Sequence, residues 1–129
     1  MAQRKEFLLD SLSPPISHYC DAVRWGDLLF VSGVAPLDAK GRVVSDDPAE
    51  QTRQIFRNMK EILDAAGAKP EDVLKVTVYL TDVNDRKKIN PAREAFFGAA
   101  RPASTLIGIK ELAIPGMKVE IEAVFGVRG

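Results

Sequence analysis

The amino-acid sequence predicts an α+β fold, with helices packed on one face of a mixed sheet, and three observations carry that reading. Several short runs are rich in β-formers, some alternating apolar and polar residues with the period of two of a half-buried strand, and two other segments carry apolar residues at helical spacing. The two kinds follow one another as strands, helix, strand, helix, strands, with no internal repeat and no low-complexity linker. Finally, 129 residues with 46% hydrophobic and 28% charged composition suit one core, so a single domain over residues 1–129 is expected.

The elements follow in order. Lys5-Glu6-Phe7-Leu8-Leu9 reads as an edge strand, and Ser11 to Ser17 with Pro14-Pro15 as an irregular loop, since neither proline can donate to a ladder. That loop delivers His18, Tyr19 and Cys20. Ala22-Val23-Arg24-Trp25 and Leu28 to Gly33 flank Gly26-Asp27, the pattern of a hairpin, and Gly33 marks a bulge or a close backbone approach. Asp47-Pro48-Ala49-Glu50 predicts a helix start: Asp47 caps free amides, Pro48 fits the first helical position, and Glu50 bonds back as in a capping box. Ile55, Met59, Ile62, Leu63 and Ala66 form its core stripe, and Gly67 its left-handed C-cap.

Val73 to Leu80 alternates as a central strand, with Leu74, Val76, Val78 and Leu80 expected on one face and Val73, Lys75, Thr77 and Tyr79 on the other. Asn90-Pro91 is expected to open a second short helix running to Gly98, with Asn90 as a possible N-cap. Ser104 to Ile109 and Lys118 to Val127 complete the strands, joined by a loop with Pro115-Gly116. A single sheet with helices on one face leaves a second face, partly apolar here, for which a partner subunit is the simple cover.

Lys plus Arg and Asp plus Glu both number 18, giving zero net charge and a sequence pI near 6.6. That balance lacks the basic excess that phosphate-backbone binding needs, so no nucleic acid partner is expected, and it does little to oppose self-association. Phe7-Leu8-Leu9 is too short for a signal-peptide core or a membrane span, so a cytoplasmic protein with no membrane partner is expected. One cysteine, Cys20, and one histidine, His18, exclude an intrachain disulfide and the usual zinc constellations. Cys20 reads as a nucleophile or as a small interfacial thiol, and His18 as a proton shuttle or a packed loop residue. No Gly-rich phosphate loop or nucleophile elbow occurs, so no cofactor is expected.

On the last strand Val119, Ile121 and Ala123 alternate with Glu120 and Glu122, which sets two carboxylates on the face opposite an apolar set. Spacing alone leaves two readings: a solvated face neutralised by Lys118, or a pair that raise each other's pKa and so make a general base.

Gly26 to Gly33, Gln51-Thr52-Arg53 ahead of Asn58, Val76 to Asp82, Asn90 ahead of Phe96-Phe97, Arg101-Pro102-Ala103 and Val119 to Ala123 occur in an order and at spacings that resemble the Rid family of reactive intermediate deaminases. The resemblance runs over nearly the whole chain. It implies a chorismate-mutase-like fold with a six-stranded sheet and two helices, a homotrimer whose sheets form a central barrel, and small-molecule clefts between neighbouring subunits, without cofactor. It also implies that reactive enamines or imines are hydrolysed to a carbonyl compound and ammonia. Carried over by position, Glu120 would hold the attacking water and Tyr19 would line the cleft. Ser32 and Gly33 would form its wall, and Asn90 would approach from the second helix.

The sequence departs from the family two residues after Pro102. Members acting on simple 2-imino acids carry there an arginine that clamps the substrate carboxylate, and this chain has Ser104. Ser104 and Thr105 would then line a pocket for a different enamine, for example one like 2-aminomuconate, or the cleft would bind a small ligand protectively without turnover. Arg24, Arg93 and Arg101 are candidates to replace the clamp, or are surface cations.

Overall fold

The computed structural model describes residues 2–128. Eight elements follow the expected order: β1 (Arg4–Phe7), β2 (Ala22–Trp25), β3 (Leu28–Val34), α1 (Pro48–Ala66), β4 (Val73–Leu80), α2 (Arg86–Phe97), β5 (Ala103–Gly108) and β6 (Val119–Gly126). The strands form one six-stranded sheet in the order β1-β2-β3-β6-β4-β5. Every pairing is antiparallel except β4 with β5, which is parallel because α2 crosses over between them. The hairpin of β2 and β3 turns through Gly26 and Asp27, with Gly26 at φ 59° as the first central residue.

α1 starts and stops where its sequence says. Asp47 Oδ1 accepts the Ala49 N–H at 3.0 Å, and Gly67 closes the helix at φ 76° with its N–H donated to the Leu63 carbonyl. The expected capping box does not form. The Asp47 N–H donates to Ser45 Oγ at 3.0 Å instead, which leaves Glu50 to pair with Arg53. The stripe of Ile55, Met59, Ile62, Leu63 and Ala66 is buried against the inner faces of β3, β4 and β6. Each such side chain contributes roughly 1.5–3 kcal/mol of burial.

Two further expectations are corrected. β4 carries one extra residue, Leu74, between the pairs Val73–Phe125 and Lys75–Val124. This bulge turns Val73 inward and leaves Leu74 exposed, so the strict alternation holds only from Lys75 onward. α2 begins at Arg86, not at Asn90-Pro91, because the turn Val83–Asp85 ahead of it is started by Asp82, whose carboxylate accepts the Asn84 N–H at 2.9 Å. Asn90 is therefore no N-cap, and Pro91 sits inside the helix on its exposed side, where the Lys87 carbonyl it leaves unbonded can turn to water. α2 holds to α1 through the rings of Phe56, Phe96 and Phe97, with centroids 4.5–5.5 Å apart.

With both helices on one side, the other sheet face is open. Trp25, Leu28, Phe30 and Ile107 are exposed, and Lys75, Thr77, Tyr79, Glu120, Glu122 and Thr105 share this face by register.

Candidate functional site

A bulge in β3 makes the site. The pairs Val31–Ala123 and Val34–Ile121 differ by one residue in spacing, so Ser32 and Gly33 together occupy the place of one strand residue while Val31 and Val34 both stay in the core. This brings the backbone at Gly33 up against the carboxylate of Glu120: a Cβ built there would stand 2.9 Å from Glu120 Cδ and closer still to Oε1. Only glycine leaves that approach free. Around this point lies a cavity of about 90 Å³ lined by Tyr19, Asp21, Ser32, Gly33, Asn58 and Glu120, with the loop Ala113 to Met117 as its far wall. Complete small-molecule sites run to about 300–1,000 Å³, so within one chain the cavity is smaller than such a site.

The structure separates the two strand carboxylates physically. The Tyr79 hydroxyl donates to Glu122 Oε1. This bond, followed by burial and then by the charges of Glu122 and Glu120, pushes the phenol pKa up. Glu120 is directly opposite Tyr79 in the ladder, yet among the described residues no hydrogen bond to its carboxylate is made. Burial, and after it the charge of Glu122, raises the Glu120 pKa. A carboxylate that is half-buried, unbonded and facing a cavity can accept a proton from a bound water.

The approach segment is pinned around it. Ser32 Oγ donates to the Cys20 carbonyl at 2.6 Å and the Ser32 N–H to the Asp21 carbonyl at 3.0 Å, which fixes the stretch that presents Tyr19. Tyr19 remains 48% exposed on the cavity rim. Cys20 Sγ donates to the Ala22 carbonyl at 3.4 Å and does not line the cavity, nor does the exposed His18.

Of the residues expected from the sequence, Glu120, Tyr19, Ser32 and Gly33 are thus brought together, while Asn90, Ser104 and Thr105 lie outside the cavity. Ser104 and Thr105 do not form one pocket, because they point to opposite faces of β5. Thr105 Oγ1 accepts from Lys75 Nζ at 2.7 Å on the open face, and Ser104 Oγ accepts from an Arg93 Nη of α2 at 3.0 Å on the helix face. Arg24 Nε donates instead to the Gly26 carbonyl at 2.8 Å, and Arg101 is exposed.

Two lining residues had no role in the sequence reading. Asp21 accepts the Leu9 N–H at 2.8 Å, and burial raises its pKa against that bond. No spacing marks it. Asn58 donates to the carbonyls of Ala35 and Leu37 at 3.2 and 3.0 Å and so holds the cavity rim. It could have been found, being a polar residue three after Ile55 and four before Ile62 on the apolar stripe of α1. Gln51 carries the same signal and anchors the far wall: its Nε2 donates to the carbonyls of Ser45 and Gly116 at 2.7 and 2.9 Å, and its Oε1 accepts the Lys118 N–H at 2.8 Å. Among the described residues no cluster of three or more His, Cys, Asp or Glu side chains could hold a metal ion, and no helix is long and apolar enough to cross a membrane.

Residues 11–126 match the family described as Endoribonuclease L-PSP. The chain is 41% identical over 122 residues to a RutC family protein of Pyrococcus horikoshii, covering 93% of this chain and 96% of the relative. It is 35% identical over 123 residues to a 2-iminobutanoate/2-iminopropanoate deaminase of Salmonella typhimurium, covering 93% and 95%. Among solved structures, the YjgF gene product of E. coli superposes with a TM-score of 0.86 at 34% identity, over 96% of this chain and 99% of that one. RidA from the Antarctic bacterium Psychrobacter sp. PAMC 21119 gives 0.84 at 28% identity, over 95% and 99%. The two helices on a mixed six-stranded sheet are the chorismate-mutase-like arrangement of these neighbours, and the chain belongs to the Endoribonuclease L-PSP family, that of the YjgF, Rid and RutC proteins.

Proposed function

We propose that this protein hydrolyses a small reactive imine or enamine to a carbonyl compound and ammonia, with Glu120 as the general base. The observation that carries the reading is the Glu120 carboxylate itself, half-buried against Gly33, free of protein hydrogen bonds among the described residues, and open to a cavity beside Tyr19. Relatives at 35% identity bear the name 2-iminobutanoate/2-iminopropanoate deaminase, which supports the reaction class.

In the protonated imine the carbon is electrophilic. Glu120 accepts a proton from a water as the water oxygen bonds to that carbon, giving a carbinolamine. The same proton passes from Glu120 to the nitrogen, the C–N bond breaks to release ammonia, and the hydroxyl gives its proton back to the Glu120 carboxylate to form the carbonyl; that proton leaves with ammonia as ammonium and restores the base. No cofactor takes part. Tyr19 offers a hydroxyl at the rim for polar recognition of the substrate.

The cavity is small, and the open sheet face bears Trp25, Leu28 and Phe30 unburied. Both features support a homotrimer in which a neighbouring copy presents its β5 and α2 side, with Asn90 and Ser104, to complete the cleft, while Thr105 stays on the open face beside Lys75. Zero net charge and a site built on an acid speak against RNA as substrate.

The test is ammonia release from freshly generated 2-iminobutanoate and from 2-aminomuconate, with the mass in solution measured alongside. Turnover that Glu120→Gln lowers by about 10²–10⁴-fold, in an assembly of unchanged mass, is the expected result. No ammonia from any enamine or imine, with the ligands still bound, would replace the enzyme by a protective binding protein.

A further inference from the structure

Asp21 is the second acid lining the cavity that Glu120 faces. Its backbone is held from both sides, the N–H donating to the Phe7 carbonyl at 2.9 Å and the carbonyl accepting the Ser32 N–H at 3.0 Å. Ala22 after it is buried in the core, so strand alternation turns Asp21 away from the core, where it lines the cavity with Ser32 and Gly33. Of its carboxylate, Oδ2 accepts the Leu9 N–H at 2.8 Å, and among the described residues no hydrogen bond is made to Oδ1. An asparagine would offer Leu9 the same oxygen without a charge to desolvate. The negative charge is therefore more than this bond needs.

Two carboxylates thus line one small cavity, and its other lining residues include no lysine, arginine or histidine. Burial is the first cause that raises the pKa of each, against the Leu9 bond at Asp21 and together with the charge of Glu122 at Glu120. Partial withdrawal of an anion from water is a penalty that a ligand of opposite charge offsets when it binds. Much of the remaining wall is apolar, with Leu12, Ile62, Ile114 and Met117, and among the described residues no set of side chains could hold a metal ion. The cation that suits such a cavity is a small organic one.

We propose that Asp21 binds the positively charged nitrogen of the substrate, so that the cavity selects the N-protonated imine or enamine over neutral molecules of the same shape. This rests on the deaminase reading above and deepens it, because the carboxylate that keeps the nitrogen protonated is a different one from the base that acts on water. The sheet order supports the division. β3 lies between β2 and β6, so Asp21 reaches the bulge at Ser32 and Gly33 from the β2 side and Glu120 reaches it from the β6 side. Substrate nitrogen and attacking water are then held from opposite flanks of the bulge.

The experiment is calorimetric titration of the full chain at neutral pH with 2-aminobutanoate and with 2-hydroxybutanoate, which share a carboxylate and a carbon skeleton and differ in carrying an ammonium or a hydroxyl group. Wild type is expected to bind the amine at least about tenfold more tightly, the worth of one charge-assisted hydrogen bond. Asp21→Asn keeps an oxygen for the Leu9 N–H, so it should fold, bind the hydroxy acid within about threefold of wild type and lose most of the preference. Asp21→Glu should keep a preference that Asp21→Asn loses. A purely structural role at Leu9 would give the reverse order, since asparagine matches the length of aspartate and glutamate does not. No binding of the amine, no preference in wild type, or a preference undiminished in Asp21→Asn would overturn the assignment, as would a preference lost only in Glu120→Gln. Ammonia release from 2-iminobutanoate is scored separately. A preference that Asp21→Asn abolishes in a chain that turns over no imine keeps the cation site and removes the deaminase. Turnover with KM unchanged by Asp21→Asn removes the assignment and keeps the deaminase.

Discussion

Gly33→Ala adds one methyl group where the bulge of β3 meets the Glu120 carboxylate. The new Cβ would stand 2.9 Å from Glu120 Cδ and 3.3 Å from Cγ. Carbon atoms in contact sit about 3.5–4.0 Å apart, so the carboxylate must retreat by about 1 Å. Stability changes little. Gly33 is not among the glycines with positive φ, so alanine brings no backbone strain and restricts the unfolded chain by about 0.4–1 kcal/mol. Overpacking opposes this with a penalty near the low end of about 1–3 kcal/mol, because the obstacle is the end of a flexible side chain. Activity is far more sensitive, since a displacement of about 1 Å at a catalytic group can lower the rate about 100-fold. The assay is kcat/KM for ammonia release beside a thermal melt. A drop of about two orders of magnitude with a melt shifted by only a few degrees is expected. A folded variant within about threefold of wild type would refute the claim that the position of Glu120 against Gly33 makes the site.

Other outcomes follow from the same geometry. Glu120 has a raised folded-state pKa, so its contribution to stability is full below the ordinary carboxylate range and is lost as pH rises through the folded value; Glu120→Gln should therefore melt higher than wild type at pH 7 and lose that advantage near pH 3, as followed by circular dichroism. Glu122→Gln removes a negative charge that holds the Glu120 pKa up, so the acid limb of the kcat/KM profile should move to lower pH while the plateau stays within about tenfold of wild type; an unmoved limb would contradict the coupling. Gln51→Leu strips three hydrogen bonds from a fully buried residue, and at about 1–3 kcal/mol for each group left unsatisfied it should destabilise by at least about 3 kcal/mol in urea unfolding.

The order of elements was legible because each rests on a local signal: Gly26-Asp27 for the hairpin, Asp47-Pro48 and Gly67 for the ends of α1, alternation for β6. What was not legible depends on pairing. The bulge at Leu74 shows only in the register of β4 against β6, and no rule of alternation reveals which of two apolar neighbours, Val73 or Leu74, turns inward. Asn90-Pro91 misled because a proline that suits the first turn also fits an exposed helix position, and Asp82, the acid that starts the segment, lies eight residues earlier. For the site, Gly33 announced a close approach and β6 announced two carboxylates, but that the first meets one of the second is a fact of the β3–β6 pairing.

That pairing also explains why two glutamates on one face, two residues apart, differ in chemistry. Glu122 is across from Thr77 and within reach of the Tyr79 hydroxyl, which gives its charge a donor on the open sheet. Glu120 is across from Tyr79, whose hydroxyl is turned to its neighbour, and on its other side β3 supplies backbone at Gly33 in place of a donor. The same tyrosine thus bonds one carboxylate and leaves its neighbour half-buried and unbonded beside it. A free base on this strand needs both conditions, the bulge that brings Gly33 against Glu120 and the tyrosine that engages Glu122. Tyr79→Phe should accordingly free Glu122 and alter the pH dependence of the reaction, although Tyr79 is not among the residues lining the cavity.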